Sequence, residues 1–329
     1  MAGWDYPDWG GRVYPSPPPR AFDRLTFLAA FFDAVEINVT FYRQPDPAAA
    51  RSWIDRVGSR GSFRFTAKLY QGFTHTDASS QARLGSSRGA ATRPPGSITP
   101  SIGGRFDLRD EARHYRTGIE PLAKSGRLGA VLMQFPQAFH DRPASRAHLD
   151  SVVDMLDGLP LVAEFRHRSW DSPGALEFLR DRGVGFCNID QPALGSTLPP
   201  TAHLTSSVGY IRLHGRNAAH WFSRQERSDP GEPSRRPASA RYDYLYSMPE
   251  LQPWVGRART LAERAEEVFV IANNHYRGKG PANALMLKSA LEGRRVPAPA
   301  RLVAAFREVE ACAEPVADGN EARGQGRLF

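Results

Sequence analysis

Seven apolar runs along the chain each end in a burst of polar, charged or aromatic residues. The runs cover residues 35–42, 63–69, 128–135, 160–166, 184–189, 208–214 and 268–274. Apolar stretches of about four to eight residues are typical of strands that are buried on both faces of a parallel sheet. The pattern therefore predicts seven parallel strands.

Segments with the apolar spacing of helices separate these runs. They comprise the residues just after Asp23 and then residues 46–57, 109–126, 144–157, 174–182, 248–267 and 281–292. Strands that alternate with helices favour right-handed β/α units, and eight such units close a TIM-like barrel. We therefore predict an α/β fold in which residues 1–293 form one TIM-like (β/α) barrel domain, with one strand missing from the pattern.

Two stretches interrupt the alternation. Residues 76–106 and 223–240 are rich in Gly, Ser, Pro and Arg and have no apolar period. Such a composition buries too little apolar surface to order itself, so both are predicted to be mobile insertions over the face that follows the strands. Beyond the barrel, residues 294–312 are predicted to form a C-terminal helix and residues 313–329 a disordered tail.

Charge and cysteine content narrow the choice of partners and compartment. The 329 residues carry a net charge of +8, and lysine occurs only at positions 68, 124, 279 and 288, so arginine supplies most of the positive charge. An arginine-rich surface suits a polyanion such as nucleic acid, although a GC-rich genome gives the same bias. The chain has no membrane-length apolar stretch or signal pattern, and its two cysteines form no disulfide framework, so we expect a cytoplasmic protein.

Two glutamates lie inside apolar runs and are candidates for catalysis. Burial of an unpaired carboxylate is costly, so Glu36 and Glu164 need partners, for which Lys68, Arg166 and Arg212 are available. Paired carboxylates at strand ends serve as acid and base or nucleophile in many hydrolases. The alternative is a pair of buried ion pairs that stabilise the barrel.

Other polar residues at the strand ends extend this candidate site. Asp190 and His214 join Glu36 and Glu164 as predicted catalytic residues. Five of the strand-end residues are metal-ligand types, namely His75, Glu164, His167, Asp190 and His214. No HxH or HExxH spacing occurs, so we predict no cofactor and leave a divalent metal open. The predicted substrate-binding residues are Trp4, Tyr42, Lys68, His75, Gln134, Arg166, His167, Trp170, Arg212, Asn273 and Asn274.

An ordered set of motifs resembles one known family. The segments are GWDYPDW (3–9), VEINVTFY, LMQFP, VAEFRHRSW, YIRLHG and VIANNHYRGKGPANA (270–284). In this order and spacing they are similar to the YecE-like family, domain of unknown function 72. The resemblance implies a TIM-like barrel and no established reaction. Relatives have been likened to apurinic endonucleases through the shape of their pocket, which is an analogy of fold.

The resemblance also bears on the start of the chain. Relatives carry a full first strand before the Gly-Trp motif, whereas only Met1 and Ala2 precede Gly3 here. An unclosed barrel would expose the edges of two neighbouring strands. We therefore expect a truncated first strand, with the true start of the protein upstream of Met1 as the favoured explanation.

The last five residues, QGRLF, are similar to the pentapeptide with which bacterial repair and replication proteins bind the sliding clamp. Gln325 would make polar contacts while Leu328 and Phe329 fill an apolar pocket. This tail and the basic charge predict a nucleic-acid-binding protein, a hydrolase or nuclease linked to DNA repair. The alternatives are a noncatalytic nucleic-acid-binding factor and a carbohydrate-active hydrolase that uses the glutamate pair.

Overall fold

Seven parallel strands form one sheet in a computed structural model that describes residues 1–58, 60–75, 107–220 and 240–317. The strands are β1 (Ala34–Ile37), β2 (Arg64–Lys68), β3 (Leu128–Gln134), β4 (Leu161–Glu164), β5 (Gly185–Asp190), β6 (Val208–Leu213) and β7 (Glu267–Ala272). They pair in sequence order. The predicted strands and the α/β, TIM-like architecture are confirmed.

Helices connect most of these strands and flank the sheet. They are α1 (Arg24–Ala29), α2 (Val39–Tyr42), α3 (Pro47–Val57), α4 (Leu108–Lys124), α5 (Pro143–Met155), α6 (Pro173–Asp181), α7 (Met248–Ala262) and α8 (Lys279–Glu292). Proline opens α3, α5 and α6, where the missing N–H costs nothing and φ is already helical. The side chains of Asp46 and Ser172 accept hydrogen bonds from backbone amides in the first turns of α3 and α6, so local sequence determines where these helices begin.

The gap between β1 and β7 is bridged by the first three residues. The Ala2 amide donates to the carbonyl of Ala272 in β7 at 3.1 Å, and the Gly3 amide donates to the carbonyl of Glu36 in β1 at 2.8 Å. The Glu36 amide donates in turn to the Met1 carbonyl at 2.8 Å. Residues 1–3 therefore occupy the eighth position of the barrel at its carboxyl end.

Below this bridge, the wall between β1 and β7 opens into a cavity of about 420 Å³. Apolar side chains of β7 and α8, among them Phe269 and Leu287, form much of its lining. The ion pair between Arg64 and Glu267, 2.8 Å apart, lies at its rim. The amino end of the barrel is thus less completely closed than the carboxyl end.

Two predicted segments differ in the structure. The run 35–42 ends as a strand at Ile37 and continues as α2, where Thr40 donates to the carbonyls of Ile37 and Lys68. The predicted helix over 294–312 is wrong, because this segment contains β8 (Val296–Pro299), α9 (Ala300–Ala305) and α10 (Arg307–Glu310). Pro297 and Pro299 hold an extended backbone and lack amide donors, which prevents one continuous helix.

The predicted tail likewise starts too early. Residues Ala313–Val316 form β9, which pairs in parallel with β8. The described residues end at residue 317, so Gln325, Leu328 and Phe329 lie outside them. The predicted insertion 76–106 and nearly all of the predicted insertion 223–240 also lie outside the described residues. Within the described ranges, none of the helices is long and apolar enough to cross a membrane.

Candidate functional site

The interior of the barrel holds a fully buried arginine between two glutamates. Arg212 Nη2 donates to Glu36 Oε1 at 2.6 Å, and Arg212 Nη1 donates to Glu164 Oε2. These residues come from β6, β1 and β4, which are not neighbours in the sheet, so they meet across the barrel. Although burial opposes its charge, the two carboxylates raise the pKa of Arg212 well above its usual value, so it is a permanent cation.

A tyrosine completes the shell around Glu36. The Tyr210 hydroxyl lies 3.0 Å from Glu36 Oε2 and 2.8 Å from Thr66 Oγ1. Sequence reasoning missed Tyr210, yet it lies two positions before Arg212 in β6. Because side chains in a strand alternate with a period of two, this spacing is a signal that could have placed both in the interior.

Glu164 has three further neighbours at the carboxyl end of the barrel. Arg166 Nη2 lies 2.5 Å from Glu164 Oε1, and His214 Nε2 lies 3.3 Å from the same oxygen. Burial alone would raise the pKa of Glu164, but Arg166 and Arg212 outweigh it and hold that pKa well below its usual range. Glu164 is therefore ionised at neutral pH. Burial and the nearby Glu164 charge keep the thiol of Cys187, 3.9 Å from Glu164 Oε2, protonated by raising its pKa.

His214 is a neutral member of this cluster. The Asn273 side-chain amide lies 2.9 Å from His214 Nδ1 and is the donor, so the imidazole proton sits on Nε2 and faces Glu164. Burial, and next the charge of Arg166, lower the pKa of His214 well below its usual value. His214 thus adds no charge at neutral pH.

Lys68 lies at the mouth of the barrel, with 13% of its side chain exposed. Its Nζ is 3.9 Å from Glu36 Oε1 and 5.7 Å from the centre of the Phe41 ring. Burial, together with the charge of Arg212, lowers the pKa of Lys68 from 10.5 to about 8, an effect that Glu36 only partly offsets. Lys68 is therefore still mainly protonated at pH 7.

Charges in this cluster do not cancel. Lys68, Arg166 and Arg212 are cations, whereas Glu36 and Glu164 are the two carboxylates that contact them. Three positive and two negative charges leave a net charge of one positive unit within this group of described side chains. Lys68 and Arg166 are the partly exposed members of this group, so its excess positive charge is accessible to solvent at the mouth of the barrel.

Aromatic rings surround this mouth. Phe41 contacts the rings of Tyr42 and His75 edge-on, each at 5.2 Å between ring centres. Tyr42 is 65% exposed, which is exceptional among the large apolar side chains of the described residues. From the segment after β6, Tyr242 lies 4.7 Å from His275 and carries the guanidinium of Arg241 over its face at 4.7 Å. Neither Arg241 nor Tyr242 follows a predicted strand directly, so no sequence signal indicated them.

Asp190 lies in the wall of the barrel, away from this cluster. Arg216 grips its carboxylate, with Nε 2.9 Å from Oδ1 and Nη2 2.7 Å from Oδ2. Tyr246 donates to Oδ1 at 2.8 Å and Trp254 Nε1 donates to Oδ2 at 2.7 Å. Both oxygens are therefore engaged, and the geometry indicates that Asp190 anchors α7 and the segment before it to β5.

Several of the predicted substrate-binding residues have structural contacts. Trp170 is buried and stacks on Phe165 at 3.9 Å, and Trp4 packs edge-on against Trp53 at 6.0 Å. Asn274 donates to the carbonyl of Tyr244 at 2.7 Å.

Others remain near the mouth or beside it. Gln134 is half-buried beside Glu164 in the register of β3 and β4, and the exposed His75 lies 2.9 Å from Thr74 Oγ1 through Nδ1. His167 stacks on His140 at 3.7 Å between ring centres. The structure thus brings Lys68, Glu36, Glu164, Arg166, Arg212, His214 and Asn273 together, and leaves Asp190, Trp4, Trp170 and Asn274 in the surrounding framework.

Metal-ligand types do not converge here. The described residues contain no group of three or more His, Cys, Asp or Glu side chains that could hold a metal ion. Of the five ligand-type residues considered from the sequence, Glu164 and His214 lie near each other, whereas Asp190 is held by Arg216.

Comparison with known proteins identifies one family and several similar chains. The sequence model of the family described as "Protein of unknown function DUF72" matches residues 1–304. The UPF0759 protein YunF of Bacillus subtilis (strain 168) is 26% identical over 299 residues, which cover 89% of this chain and 93% of YunF.

Two solved structures resemble the fold. A DUF72 family protein from Thermotoga maritima MSB8 is 30% identical, with a TM-score of 0.67 over 89% of this chain and 97% of its own. A second DUF72 family protein, from Enterococcus faecalis V583, is 22% identical, with a TM-score of 0.66 over 82% of this chain and 88% of its own.

Proposed function

Since this chain belongs to the DUF72 family of proteins of unknown function, we propose a function from its site: the barrel mouth binds a phosphate-bearing nucleotide of a nucleic acid. The observation that carries this proposal is the excess of one positive charge among the five described side chains of the cluster, in which Lys68 and Arg166 are the partly exposed members. An anion is the ligand that neutralises it.

Phosphate fits this charge for reasons of geometry. Arginine presents a planar fork of donors that matches phosphate oxygens, and lysine acts beside it as a point charge. Arg166 is already oriented by Glu164 at 2.5 Å, and Lys68 by Glu36 at 3.9 Å. Holding the cations in place before the ligand arrives reduces the entropy that binding costs.

The aromatic rim supports a nucleotide over a bare phosphate. The Phe41 ring lies 5.7 Å from Lys68 Nζ and contacts the ring of Tyr42 at 5.2 Å. Tyr242 carries the guanidinium of Arg241 over its face. Stacking of a base on an aromatic side chain contributes about 1–3 kcal/mol and tolerates any base. The exposed Tyr42 is the best placed to stack on a base, because it is 65% exposed in the free protein.

The glutamates favour binding over hydrolysis. A general acid needs a raised pKa, whereas the pKa of Glu164 lies well below its usual range. Glu36 and Glu164 are fully buried and both bind Arg212. We therefore place a noncatalytic nucleic-acid-binding role ahead of the nuclease and the carbohydrate-active hydrolase.

Lys68→Met tests the proposal. We expect thymidine 5′-monophosphate to bind the protein and thymidine not to bind, as measured by isothermal titration calorimetry. Loss of the lysine should weaken binding of the monophosphate by about tenfold to a hundredfold, the usual effect of one charged hydrogen bond. Affinity should also fall as the pH rises through 8, because Lys68 then loses its proton.

The matched control is Arg60→Met, which removes one positive charge from an exposed side chain just before β2, at the opposite end of the barrel. Equal affinities of the Lys68 variant, the Arg60 variant and the unaltered protein would overturn the proposal. If the protein cleaves an oligonucleotide and this cleavage depends on Glu164, the result would instead favour the nuclease hypothesis.

Recruitment to DNA repair through a sliding clamp is the second part of this proposal. It rests on the sequence alone, since Gln325, Leu328 and Phe329 lie outside the described residues. A cytoplasmic location agrees with the free thiols of Cys187 and Cys312.

A further inference from the structure

Two histidines from neighbouring strand ends stack on each other at the carboxyl end of the barrel. His140 belongs to the segment after β3 and His167 to the segment after β4. Their ring centres are 3.7 Å apart and their planes differ by 23°. His167 follows Arg166 directly, so the two Cα atoms are about 3.8 Å apart. The pair therefore lies at the same end of the barrel as the cationic mouth, and both residues are only half-buried.

Hydrogen bonds select the same tautomer for both rings. The Ser169 amide donates to His167 Nδ1 at 3.1 Å, and Arg142 Nη2 lies 3.3 Å from His140 Nδ1 and is the donor. A ring nitrogen that accepts a hydrogen bond carries no proton, so in each neutral imidazole the proton is on Nε2. The pair thus contains two Nε2–H groups that can donate hydrogen bonds to an anion.

Positive charge dominates the surroundings of the pair. The charged or titratable groups around it come from both segments, from α5 and from the segment after β5. They are Asp141, Arg142, Arg146, Arg168, Asp171 and His203.

Both of the carboxylates among these groups are paired. Asp141 accepts from Arg146 at 2.6 and 2.8 Å, and Asp171 binds His203 Nε2 at 2.7 Å. Arg142 and Arg168 are exposed and face the histidines. Among the described residues, the local charge is therefore positive even before either histidine is protonated.

We propose that His140 and His167, with Arg142 and Arg168, bind a second phosphate of the strand whose first phosphate enters the mouth. This inference rests on the proposed function and names its ligand class as an oligonucleotide of at least two phosphates. A single nucleotide fills only the mouth, whereas an oligonucleotide reaches both sites.

Acid strengthens this second contact. Burial, followed by the charges of His140, Arg142 and Arg168, lowers the pKa of His167, so its ring is neutral in the free protein at pH 7. An anion at the pair offsets that repulsion and favours the imidazolium. Because binding then takes up a proton, affinity for the second phosphate increases as the pH falls.

The experiment compares two probes on the full chain by fluorescence competition. They are thymidine 5′-monophosphate and 5′-phosphorylated hexathymidylate. The ratio of their affinities isolates the second site, since both fill the mouth. We expect the ratio to increase at least threefold between pH 8 and pH 6 in the unaltered protein.

The variant His140→Phe with His167→Phe keeps the ring stack and removes both donors and their charge. It should bind the monophosphate as before, lose most of the preference for the hexanucleotide, and lose the pH dependence of the ratio. Arg60→Met serves as the charge control and should alter neither ratio nor pH dependence.

The outcomes separate this inference from the proposed function. An unchanged ratio in the double variant, with the monophosphate still bound, overturns the second site and leaves the mouth intact. Failure of the monophosphate to bind any form overturns the proposed function itself. If circular dichroism shows that the double variant does not fold, a pH-independent ratio in the unaltered protein overturns the inference and a pH-dependent one supports it.

Discussion

We expect Lys68 to reduce the stability of the fold. Its ammonium group is taken out of water beside Arg212, and the pKa of about 8 records the net cost of keeping it charged there. Arg166 and Arg212 already balance Glu36 and Glu164 without it. A buried charge that the fold does not need is the kind of residue expected at a binding site.

Lys68→Met should therefore stabilise the protein while it weakens phosphate binding. At pH 7 we expect the free energy of unfolding to increase by about 1–3 kcal/mol, the order set by a shift from 10.5 to about 8. Between pH 8 and 10.5 the unfolded chain binds more protons at Lys68 than the folded one, so the stability of the unaltered protein increases with pH. The gain from methionine should then shrink toward pH 10.5. Urea unfolding at both pH values measures it.

Glu164→Gln is the opposite case and serves as the comparison. It leaves Arg166 and Arg212 with one carboxylate fewer in a fully buried position, which typically costs about 3–5 kcal/mol. A stabilising effect of this change, or a destabilising effect of Lys68→Met, would contradict the charge balance described for the cluster.

Some of these residue roles were accessible from sequence and others were not. Glu36 and Glu164 interrupt apolar runs, and burial of a carboxylate requires a cation, so their pairing with Lys68, Arg166 and Arg212 followed from elementary electrostatics. Their predicted catalytic roles stay predictions. In the sequence, Asp190 looked equivalent to the two glutamates. Its side chain instead points to the outer face of its strand, which became clear only from its hydrogen bonds with Tyr246 and Trp254.

At the scale of elements, two glycines inside helices have opposite roles. Gly118 in α4 lies so close to the loop between α2 and α3 that a Cβ atom there would be 2.1 Å from the Pro45 carbonyl oxygen. Gly256 in α7 is exposed, and a Cβ atom there would meet nothing within 4 Å. One glycine permits a close packing of backbone, and the other only weakens its helix.

We expect Gly118→Ala to destabilise the protein by about 1–3 kcal/mol through overpacking against backbone that cannot easily move. Gly256→Ala should stabilise it by about 0.5–1 kcal/mol, because alanine loses less conformational entropy in a helix. Thermal denaturation of both variants measures the difference. A pair of equal shifts would show that the contact of α4 with Pro45 can relax.

The elements themselves were predictable to different degrees. Strands β3 and β6 are long apolar runs between helices and appeared at their observed positions within a residue or so. The run 35–42 did not reveal that α2 begins after Asn38, because the same apolar residues suit a strand or a helix. The pairing of β8 with β9 depends on contacts between segments, which no local pattern contains.

On the scale of the whole molecule, the predicted clamp segment is separate from the barrel chemistry. Replacing Leu328 and Phe329 with alanine should reduce binding to a purified sliding clamp by more than tenfold, since apolar anchors of this kind contribute about 2 kcal/mol or more. Affinity for hexathymidylate should stay unchanged. Arg327→Ala is the matched control within QGRLF, and surface plasmon resonance gives both affinities. Equal clamp binding by all forms would remove the clamp from the proposal.

The net charge of +8 gains meaning only from its distribution. Some arginines at or beside helix surfaces pair with nearby carboxylates, as Arg182, directly after α6, does with Asp150 at 2.9 Å. At the carboxyl end of the barrel, Lys68 and Arg166 instead belong to a cluster whose described side chains carry an excess of positive charge. Composition alone could not separate these two situations.

Local pattern was sufficient for the architecture of this protein. Seven buried strands alternating with helices leave a parallel barrel as the arrangement that buries every apolar face, and polar residues at strand ends then share one face. Distances across the barrel decide everything else. Three residues bridge β1 and β7, Arg212 neutralises two glutamates at once, and His140 meets His167, because segments far apart in the chain are brought into contact only when the sheet curls.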